Sequence, residues 1–364
     1  MDTLSFYLKE FKLGIISFVT AFVVAMLFMP LFIKALHRFR LFDEPDARKL
    51  HAAPIPTMGG VIIFLATTIT ASLWFTFTDD LFTITFFFSL AVLFIIGILD
   101  DLRDIMAGNK LIIQLAIASL IAFSGVRLTS LNGLFGIYEL PIYAQYTLTV
   151  IAITGVTNAF NLIDGIDGLA GGIGFLSLLM LGNLLTLSGQ ANMALIAFSL
   201  GGALIGFLYY NINPARIFMG DTGSLVLGFV IAVLTILLIQ VNTGVAKPVL
   251  AHAPIYGLSI VLIPVFDTLR VFAVRIWQGK HPFSPDKTHI HHLLTNNGWS
   301  HYFTNKLICT VHAGILVLTY FLKRVPQELG LLILVAIMLL TIIVFRKIKP
   351  SHRSSIYKIK AQEA

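Results

Sequence analysis

Two adjacent carboxylates, Asp100 and Asp101, end an apolar run in the sequence GILDD. Neighbouring acids can act as a base and a metal ligand at once, and their mutual repulsion favours a raised pKa for one of them. The alternative is a solvated helix end. The acids would lie at a helix C-terminus, however, where the helix dipole disfavours them. Since carboxylates beside an apolar segment are costly without a compensating partner, we interpret the pair as functional.

A second cluster, NAFNLIDGIDGLAGG, places Asn161, Asp164 and Asp167 at intervals of three residues. A glycine follows each acid, which indicates a tight turn leading into a helix. The spacing puts amide and carboxylate oxygens on one side of that turn, where they suit Mg2+ or a pair of ribose hydroxyls. The 12-residue EF-hand pattern that ends in Glu is absent, which excludes that calcium site.

A third cluster, NINPARIFMGDTGS, begins at Asn211 and contains Asp221 near the start of a further apolar run. The letters DTGS are typical of a helix N-cap. A helix N-terminus is also suited to binding phosphate. The two interpretations are compatible, and both stay open.

Two loops are rich in basic residues and histidine. The first, between residues 43 and 60, contains Lys49 in the sequence RKLHAAPIPTMGG. Its basic residues can bind phosphate; the alternative is an ordinary basic loop of a membrane protein. The second contains four of the ten histidines, in GKHPFSPDKTHIHH, and follows Asp267 and Arg270, which we expect to pair on one helix face. Without a nearby cysteine, zinc is disfavoured. We expect a polyphosphate site in which imidazolium, Lys and Arg neutralise the substrate while Asp residues hold Mg2+.

The segments between these clusters are strongly apolar. Apolar residues make up 57% of the 364 residues, charged residues only 12%, and the mean hydropathy is +0.89. A soluble fold cannot bury that much apolar surface, so soluble enzymes, disordered proteins and disulfide scaffolds are excluded. The single cysteine, Cys309, cannot form an intrachain bridge. The net charge of +7 is not gathered into one basic run, so we expect no nucleic acid partner.

The composition predicts an all-α integral membrane protein with about eleven transmembrane helices, because a span needs about 20 mostly apolar residues. The predicted spans lie near residues 12–35, 59–77, 81–99, 110–128, 142–160, 168–187, 191–210, 222–240, 254–275, 305–322 and 329–345. Eighteen Lys and Arg then lie on the side that carries the polar clusters, against six on the other side. The positive-inside rule places those loops in the cytosol and the N-terminus outside. No linker divides the chain, so we predict one domain over residues 1–364, with a basic cytosolic tail over about 346–364.

Five ordered motifs, RKLHAAPIPTMGG, GILDD, NAFNLIDGIDGLAGG, NINPARIFMGDTGS and PFSPDKTHIHHL, resemble those of the polyprenyl-phosphate N-acetylhexosamine-1-phosphate transferases. The resemblance covers roughly residues 30–300. It implies a Mg2+-dependent enzyme, with Mn2+ as an alternative ion, in the bacterial cytoplasmic (inner) membrane. The family transfers a sugar-1-phosphate from a UDP-sugar to a polyprenyl phosphate and releases UMP. The bilayer is a further implied partner, and a homodimer is an open expectation.

The resemblance also implies roles for individual residues. Those implied to be catalytic are Asp100, at the acceptor phosphate, with Asp101, His289, His291 and His292. Those implied to bind substrate are Lys49, Lys110, Asp164, Asp167 and Asn211, and those implied to bind the metal are Asn161 and Asp221.

The histidine motif separates branches of the family. Ile290 interrupts it as HIHH, a form that resembles the branch that transfers GlcNAc-1-phosphate to undecaprenyl phosphate and initiates teichoic acid, O-antigen or a related glycan. UDP-MurNAc-pentapeptide or another UDP-HexNAc is the alternative substrate. Direct attack by the lipid phosphate is the preferred mechanism, and a phospho-aspartate intermediate stays open.

Two other classes fit less well. A transporter predicts mid-span ionisable residues and repeated halves, neither of which is evident. The CDP-alcohol phosphotransferases require Ala-Arg after their first Asp-Gly, whereas Ile-Asp follows Asp164-Gly165 here.

Overall fold

The structure is a computed structural model that describes residues 3–43, 55–212, 214–243, 248–281 and 288–350. The helices in these ranges are α1 Thr3–Phe39, α2 Gly60–Trp74, α3 Leu81–Arg103, α4 Ala107–Phe123, α5 Ile142–Ile163, α6 Leu169–Leu187, α7 Ala191–Asn211, α8 Gly220–Val241, α9 Ala253–Trp277, α10 Ile290–Thr295, α11 His301–Leu322 and α12 Gln327–Lys347. Two short strands, β1 (Phe42–Asp43) and β2 (Ile55–Pro56), pair antiparallel between α1 and α2. A single 3-10 turn, Leu134–Gly136, lies between α4 and α5.

The prediction of an all-α integral membrane protein is confirmed. Each predicted span coincides with one helix, and within the described ranges nine helices are long and apolar enough to cross a membrane. Helices α2 and α4 are shorter, with 15 and 17 residues, so the number of eleven spans stays a prediction. The six-residue helix α10 was not predicted, because a search for long apolar runs does not detect one so short.

Helix α8 lies at the centre of the bundle. Of its most apolar 18-residue stretch 89% is buried, against 22% for α1, which lies at the periphery. A helix that is apolar all round is buried on every side, and α8 has this pattern over nearly its whole length. The first turn of α8 contains Asp221, so the most enclosed helix of the fold supports one of the predicted site residues.

Glycines allow two helices to approach the beginning of α8 closely. A Cβ atom at Gly97 of α3 would lie 2.4 Å from the Cα of Thr222, and one at Gly60 of α2 would lie 2.1 Å from the backbone nitrogen of Gly223. These distances are far below van der Waals contact, so α2 and α3 meet α8 backbone to backbone. Small residues at helix interfaces permit such an approach in membrane proteins.

The close contact at Gly97 can be tested by measuring the stability of a substitution there. Gly97→Ala would force α3 and α8 apart, and we expect it to lower the free energy of unfolding by about 1–3 kcal/mol, as overpacking does. Chemical denaturation in detergent micelles measures this change. Gly155→Ala is the matched control, because Gly155 also lies inside a helix but a Cβ there meets nothing within 4 Å. Equal stability of the two variants would contradict the close packing of α3 against α8.

Candidate functional site

The polar clusters that are far apart in the chain meet at one end of the helix bundle. The Nζ atom of Lys110, in the first turn of α4, lies 2.5 Å from Oδ2 of Asp100 and 3.0 Å from Oδ2 of Asp221. Asp100 belongs to the last turn of α3 and Asp221 to the first turn of α8. One lysine therefore joins two carboxylates that are 121 residues apart, and it offsets their mutual repulsion.

Asp101 caps the N-terminus of α8 from the neighbouring helix α3. Its Oδ1 accepts a hydrogen bond from the backbone N–H of Asp221 at 2.8 Å. Its Oδ2 accepts hydrogen bonds from the backbone N–H of Thr222 at 3.1 Å and from the hydroxyl of Thr222 at 2.5 Å. Gly220 has a φ of +72°, and a Cβ there would lie 2.6 Å from Asp101 Oδ2. This position therefore needs glycine both for its backbone conformation and for space.

The cap differs from the one that the DTGS letters predict. Helix α8 starts at Gly220, so Asp221 lies inside its first turn, and the N-cap residue Met219 makes no side-chain hydrogen bond. The unpaired N–H groups of the first turn are satisfied by Asp101 instead. Asp221 is consequently left with its carboxylate turned toward Lys110. The predicted catalytic role of Asp101 stays a prediction, although both of its oxygens already accept hydrogen bonds.

Asn161 is the amide neighbour of Asp221. Its Nδ2 donates to Oδ1 of Asp221 at 2.5 Å and to Oγ of Ser224 at 2.9 Å. Asp100 in turn accepts a hydrogen bond from the backbone N–H of Ile105 at 2.7 Å and is only 5% exposed. A continuous polar row thus runs from α5 across α8 and α4 to α3. Its members, in that order, are Asn161, Asp221, Lys110 and Asp100.

Asp164 and Asp167 lie in the turn between α5 and α6, and they differ in their surroundings. Asp167 Oδ2 accepts the backbone N–H of Ala215 at 3.4 Å, and Oδ1 lies 3.6 Å from Nδ1 of His301. Among the described residues, the half-buried Asp164 carboxyl has no hydrogen-bond donor. Burial, reinforced by the negative charges of Asp101 and Asp167, raises the pKa of Asp164 to about 7. Among the described residues, no positive charge therefore compensates Asp164.

Asn211 stabilises the backbone around the site. The structure places it at the end of α7, where Oδ1 accepts the N–H of Gly168 and Nδ2 donates to the carbonyl of Ile217, both at 2.8 Å. The side chain is 5% exposed. It joins the turn that carries Asp167 to the segment that leads into α8. Contact with substrate stays a prediction for this residue.

The three histidines of the HIHH motif have different environments. His289 Nδ1 lies 2.9 Å from Oδ2 of Asp267, on α9. His291 is 1% exposed, neither ring nitrogen has a partner among the described residues, and burial lowers its pKa to about 3. His292 packs against it with ring centroids 4.2 Å apart. Burial therefore disfavours an imidazolium at His291, and the expectation that the histidines of this loop supply imidazolium stays a prediction.

His291 also explains a glycine of the NAFNLIDGIDGLAGG motif. A Cβ at Gly165 would lie 2.4 Å from Nε2 of His291. The histidine ring thus lies directly on the backbone of the turn between Asp164 and Asp167.

The predicted pairing of Asp267 with Arg270 is confirmed, with Oδ1 and Nη2 2.7 Å apart. Lys49 lies outside the described residues, as does the segment 282–287 before the HIHH motif.

A hydrogen bond between α4 and α5 supports the site and was not predicted. Asn158 Nδ2 donates to Oε1 of Gln114 at 2.5 Å, one helical turn away from the positions of Lys110 and Asn161. A polar residue buried in a membrane helix usually finds a partner on a neighbouring helix. The spacing of four residues from Lys110 to Gln114 was the available signal, since it puts both on one face of α4.

The donor atoms of the site fit a hard divalent cation. Within the described ranges no three Asp, Glu, His or Cys side chains converge on one point, as a metal held by protein alone requires. Mg2+ is usually held by one or two carboxylates together with substrate phosphates. Asp221 supplies one such carboxylate, and Asp164, three residues after Asn161, is a further candidate. Asn161 would have to turn its amide oxygen toward the ion, because its nitrogen now faces Asp221.

Comparison with known proteins identifies the family of the chain. The model of glycosyl transferase family 4 matches residues 82–239. The chain is 31% identical over 289 residues, 79% of this chain and 78% of the relative, to a probable undecaprenyl-phosphate N-acetylglucosaminyl 1-phosphate transferase of Bacillus subtilis. It is 30% identical over 322 residues, 85% of this chain and 84% of the relative, to the undecaprenyl-phosphate alpha-N-acetylglucosaminyl 1-phosphate transferase of Escherichia coli K12. The chain therefore belongs to glycosyl transferase family 4.

Proposed function

We propose that this enzyme transfers GlcNAc-1-phosphate from UDP-GlcNAc to undecaprenyl phosphate and releases UMP. The observation that carries the proposal is the Lys110 bridge between Asp100 and Asp221, at 2.5 and 3.0 Å. It forms an anion-binding group among carboxylates at the end of the helix bundle. Both substrates are phosphates, and one of them is a membrane lipid. The names of the relatives from B. subtilis and E. coli support the same reaction.

The chemistry is an in-line phosphoryl transfer. An oxygen of the lipid phosphate forms a bond to the phosphorus that carries the sugar, and the bond from that phosphorus to the bridging oxygen of UMP breaks. Asp100 orients the lipid phosphate or accepts its proton, and Lys110 exchanges part of its contact with the two aspartates for contact with phosphate oxygens. Asp101 does not need to touch substrate in this scheme, because it holds the first turn of α8 in place.

Mg2+ fits this scheme as the missing positive charge. Asp221 and Asn161 would hold it, and its charge would also offset part of the negative charge of Asp164, three residues after Asn161. When bound, the ion would offset the charge of the diphosphate and of the departing UMP. Apart from that contribution, the residues of the chain bind the nucleotide and keep the two phosphates in line.

We place the site at the cytosolic face of the bacterial inner membrane. Asp100, Asp164 and Asp221 lie at the connections α3–α4, α5–α6 and α7–α8, which alternate along the chain. These connections meet at one end of the bundle. The side of the chain that contains these connections holds three times as many Lys and Arg as the other side. A lipid-linked GlcNAc formed there would serve as the first sugar of a cell-envelope glycan.

The proposal predicts large losses from single changes in the polar row. Asp100→Asn and Asp221→Ala should each lower kcat by about a hundredfold or more, as losses of groups that act on the transferred phosphate do. UMP release and transfer of labelled GlcNAc into the lipid phase, with purified protein, UDP-GlcNAc, undecaprenyl phosphate and Mg2+, measure both products. EDTA should abolish them.

Asp104→Asn is the matched control for these variants. Asp104 is an exposed carboxylate one turn beyond Asp100, with a positive φ that asparagine tolerates. Wild-type turnover is expected for it. Normal turnover of either Asp100→Asn or Asp221→Ala would contradict the assigned roles. Transfer only from another UDP-HexNAc or from UDP-MurNAc-pentapeptide would contradict UDP-GlcNAc as the donor, but it would support the same type of phosphoryl transfer.

The orientation predicts a pattern of chemical labelling. In a Cys309→Ala background, a cysteine at the exposed Asn109, at the start of α4, should react with a membrane-impermeant maleimide only in inverted vesicles. A cysteine at the exposed Asp79, between α2 and α3, should react only from the outside of intact spheroplasts. The reverse pattern would place the site on the opposite face of the membrane.

A further inference from the structure

Asp267 makes more protein contacts than a simple ion pair requires. The residue is 1% exposed and belongs to α9. Its Oδ1 accepts hydrogen bonds from Nη2 of Arg270 at 2.7 Å and from the backbone N–H of Ile290 at 3.0 Å. Its Oδ2 faces Nδ1 of His289 at 2.9 Å. One carboxylate thus contacts the first two residues of the HIHH motif and an arginine at the same time.

Arg270 extends this contact to the residue before the motif. Its Nη2 also donates to the carbonyl oxygen of Thr288 at 2.5 Å. Asp267 and Arg270 together therefore hold the backbone of Thr288–Ile290 on the side of α9. These contacts hold the start of the HIHH motif against α9, and they place Nδ1 of His289 next to the carboxylate of Asp267.

The contact decides which nitrogen of His289 carries a proton. A carboxylate only accepts hydrogen bonds, so Nδ1 must be the donor. A carboxylate that orients a histidine through one nitrogen determines the chemistry available at the other. Among the described residues the hydrogen bond of the His289 ring is the one at Nδ1, so Nε2 stays available for a ligand, whereas the ring of His291 is buried against Gly165. His289 is thus oriented by a carboxylate, His291 packs against the backbone, and the ring of His292 lies tilted against that of His291.

We propose that Asp267 is a positioning residue, which holds His289 with Nδ1 as the donor and turns Nε2 toward the phosphates of the bound substrate. This inference rests on the proposed function for the identity of the substrate. It assigns His289, rather than His291, as the histidine of the motif that contacts a phosphate oxygen. Asp267 acts through His289 and does not touch substrate itself.

Asp267→Asn separates positioning from a purely structural role. The asparagine oxygen would face Arg270 and the N–H of Ile290, because both are donors, and those two contacts would be kept. The amide nitrogen would then face Nδ1 of His289 with donor hydrogens, so Nδ1 would have to accept and the proton would move to Nε2. The backbone of the motif stays in place in this variant, while the hydrogen bond that orients His289 is reversed.

Transfer kinetics of wild type, Asp267→Asn, His289→Gln and the double variant test the proposal. We expect each single variant to lose about 10- to 100-fold in kcat/KM for UDP-GlcNAc, the range seen when a partner that orients a histidine is lost. The double variant should be no worse than His289→Gln, because both changes remove one function. Near-normal kcat/KM for Asp267→Asn, or losses that multiply in the double variant, would overturn the proposal.

Nitrogen-15 NMR of histidine-labelled protein gives a readout that does not depend on turnover. The wild type should show a protonated Nδ1 for a signal that disappears in His289→Gln, and in Asp267→Asn that signal should show an unprotonated Nδ1. An unprotonated Nδ1 in the wild type contradicts the proposal even if Asp267→Asn does not fold. If wild-type protein transfers no sugar phosphate, the proposed function fails, and the NMR result still decides the Asp267–His289 contact.

His312→Gln is the matched control. His312 is fully buried in α11, and its Nε2 lies 3.1 Å from the hydroxyl of Ser177, which donates to the carbonyl of Ile260 on α9. It is thus another buried histidine hydrogen-bonded within the same bundle, but apart from the site. We expect its kcat/KM to stay within about threefold of wild type, as for a substitution that does not share partners with the site. A loss as large as that of His289→Gln would show that removing any buried histidine impairs the enzyme, and would overturn the specific assignment.

Discussion

The capping of α8 by Asp101 is the interaction on which the site depends. A carboxylate at the C-terminal end of α3 is unfavourable for its own helix, but it is stabilised by the unpaired N–H groups at the start of α8. The contact requires α3 and α8 to meet backbone to backbone, which Gly97 permits. It also fixes the first turn of α8, and with it the position of Asp221 opposite Lys110. One structural contact therefore positions the carboxylate that the proposed chemistry uses.

The described residues of the site carry more negative charge than their own cations compensate. Lys110 contacts Asp100 and Asp221, but within the described ranges Asp164 has no donor, and its pKa is raised. Such an excess is costly at a membrane border, and in the proposed function a cation that binds together with the phosphate substrate would relieve it. Binding and catalysis thus have a common electrostatic origin. Asn161 could become a ligand of such an ion, because its side-chain amide can turn so that the oxygen faces the ion and the nitrogen no longer faces Asp221.

The sequence predicted the helices, but not the contacts that the predicted site residues make with one another. Hydropathy is a local property, so each apolar run became a helix, whereas α10 was too short to detect. Asp100 and Asp101 are indistinguishable as letters. Only the packing of α3 against α4 and α8 makes Asp100 face a lysine and Asp101 a helix N-terminus. The histidines of HIHH likewise looked equivalent until the burial of His291 and the contact of His289 with Asp267 separated them.

A structure of the enzyme with UDP-GlcNAc and Mg2+ would test the central claim most directly, namely that the first turn of α8, held by Asp101, positions the ion and the diphosphate. The account predicts an ion about 2 Å from a carboxylate oxygen of Asp221, with the diphosphate within hydrogen-bond distance of Lys110 and the Asp101 contacts to α8 unchanged. A diphosphate bound away from Lys110, an ion without Asp221 among its ligands, or an Asp101 released from α8 to hold the ion would contradict it.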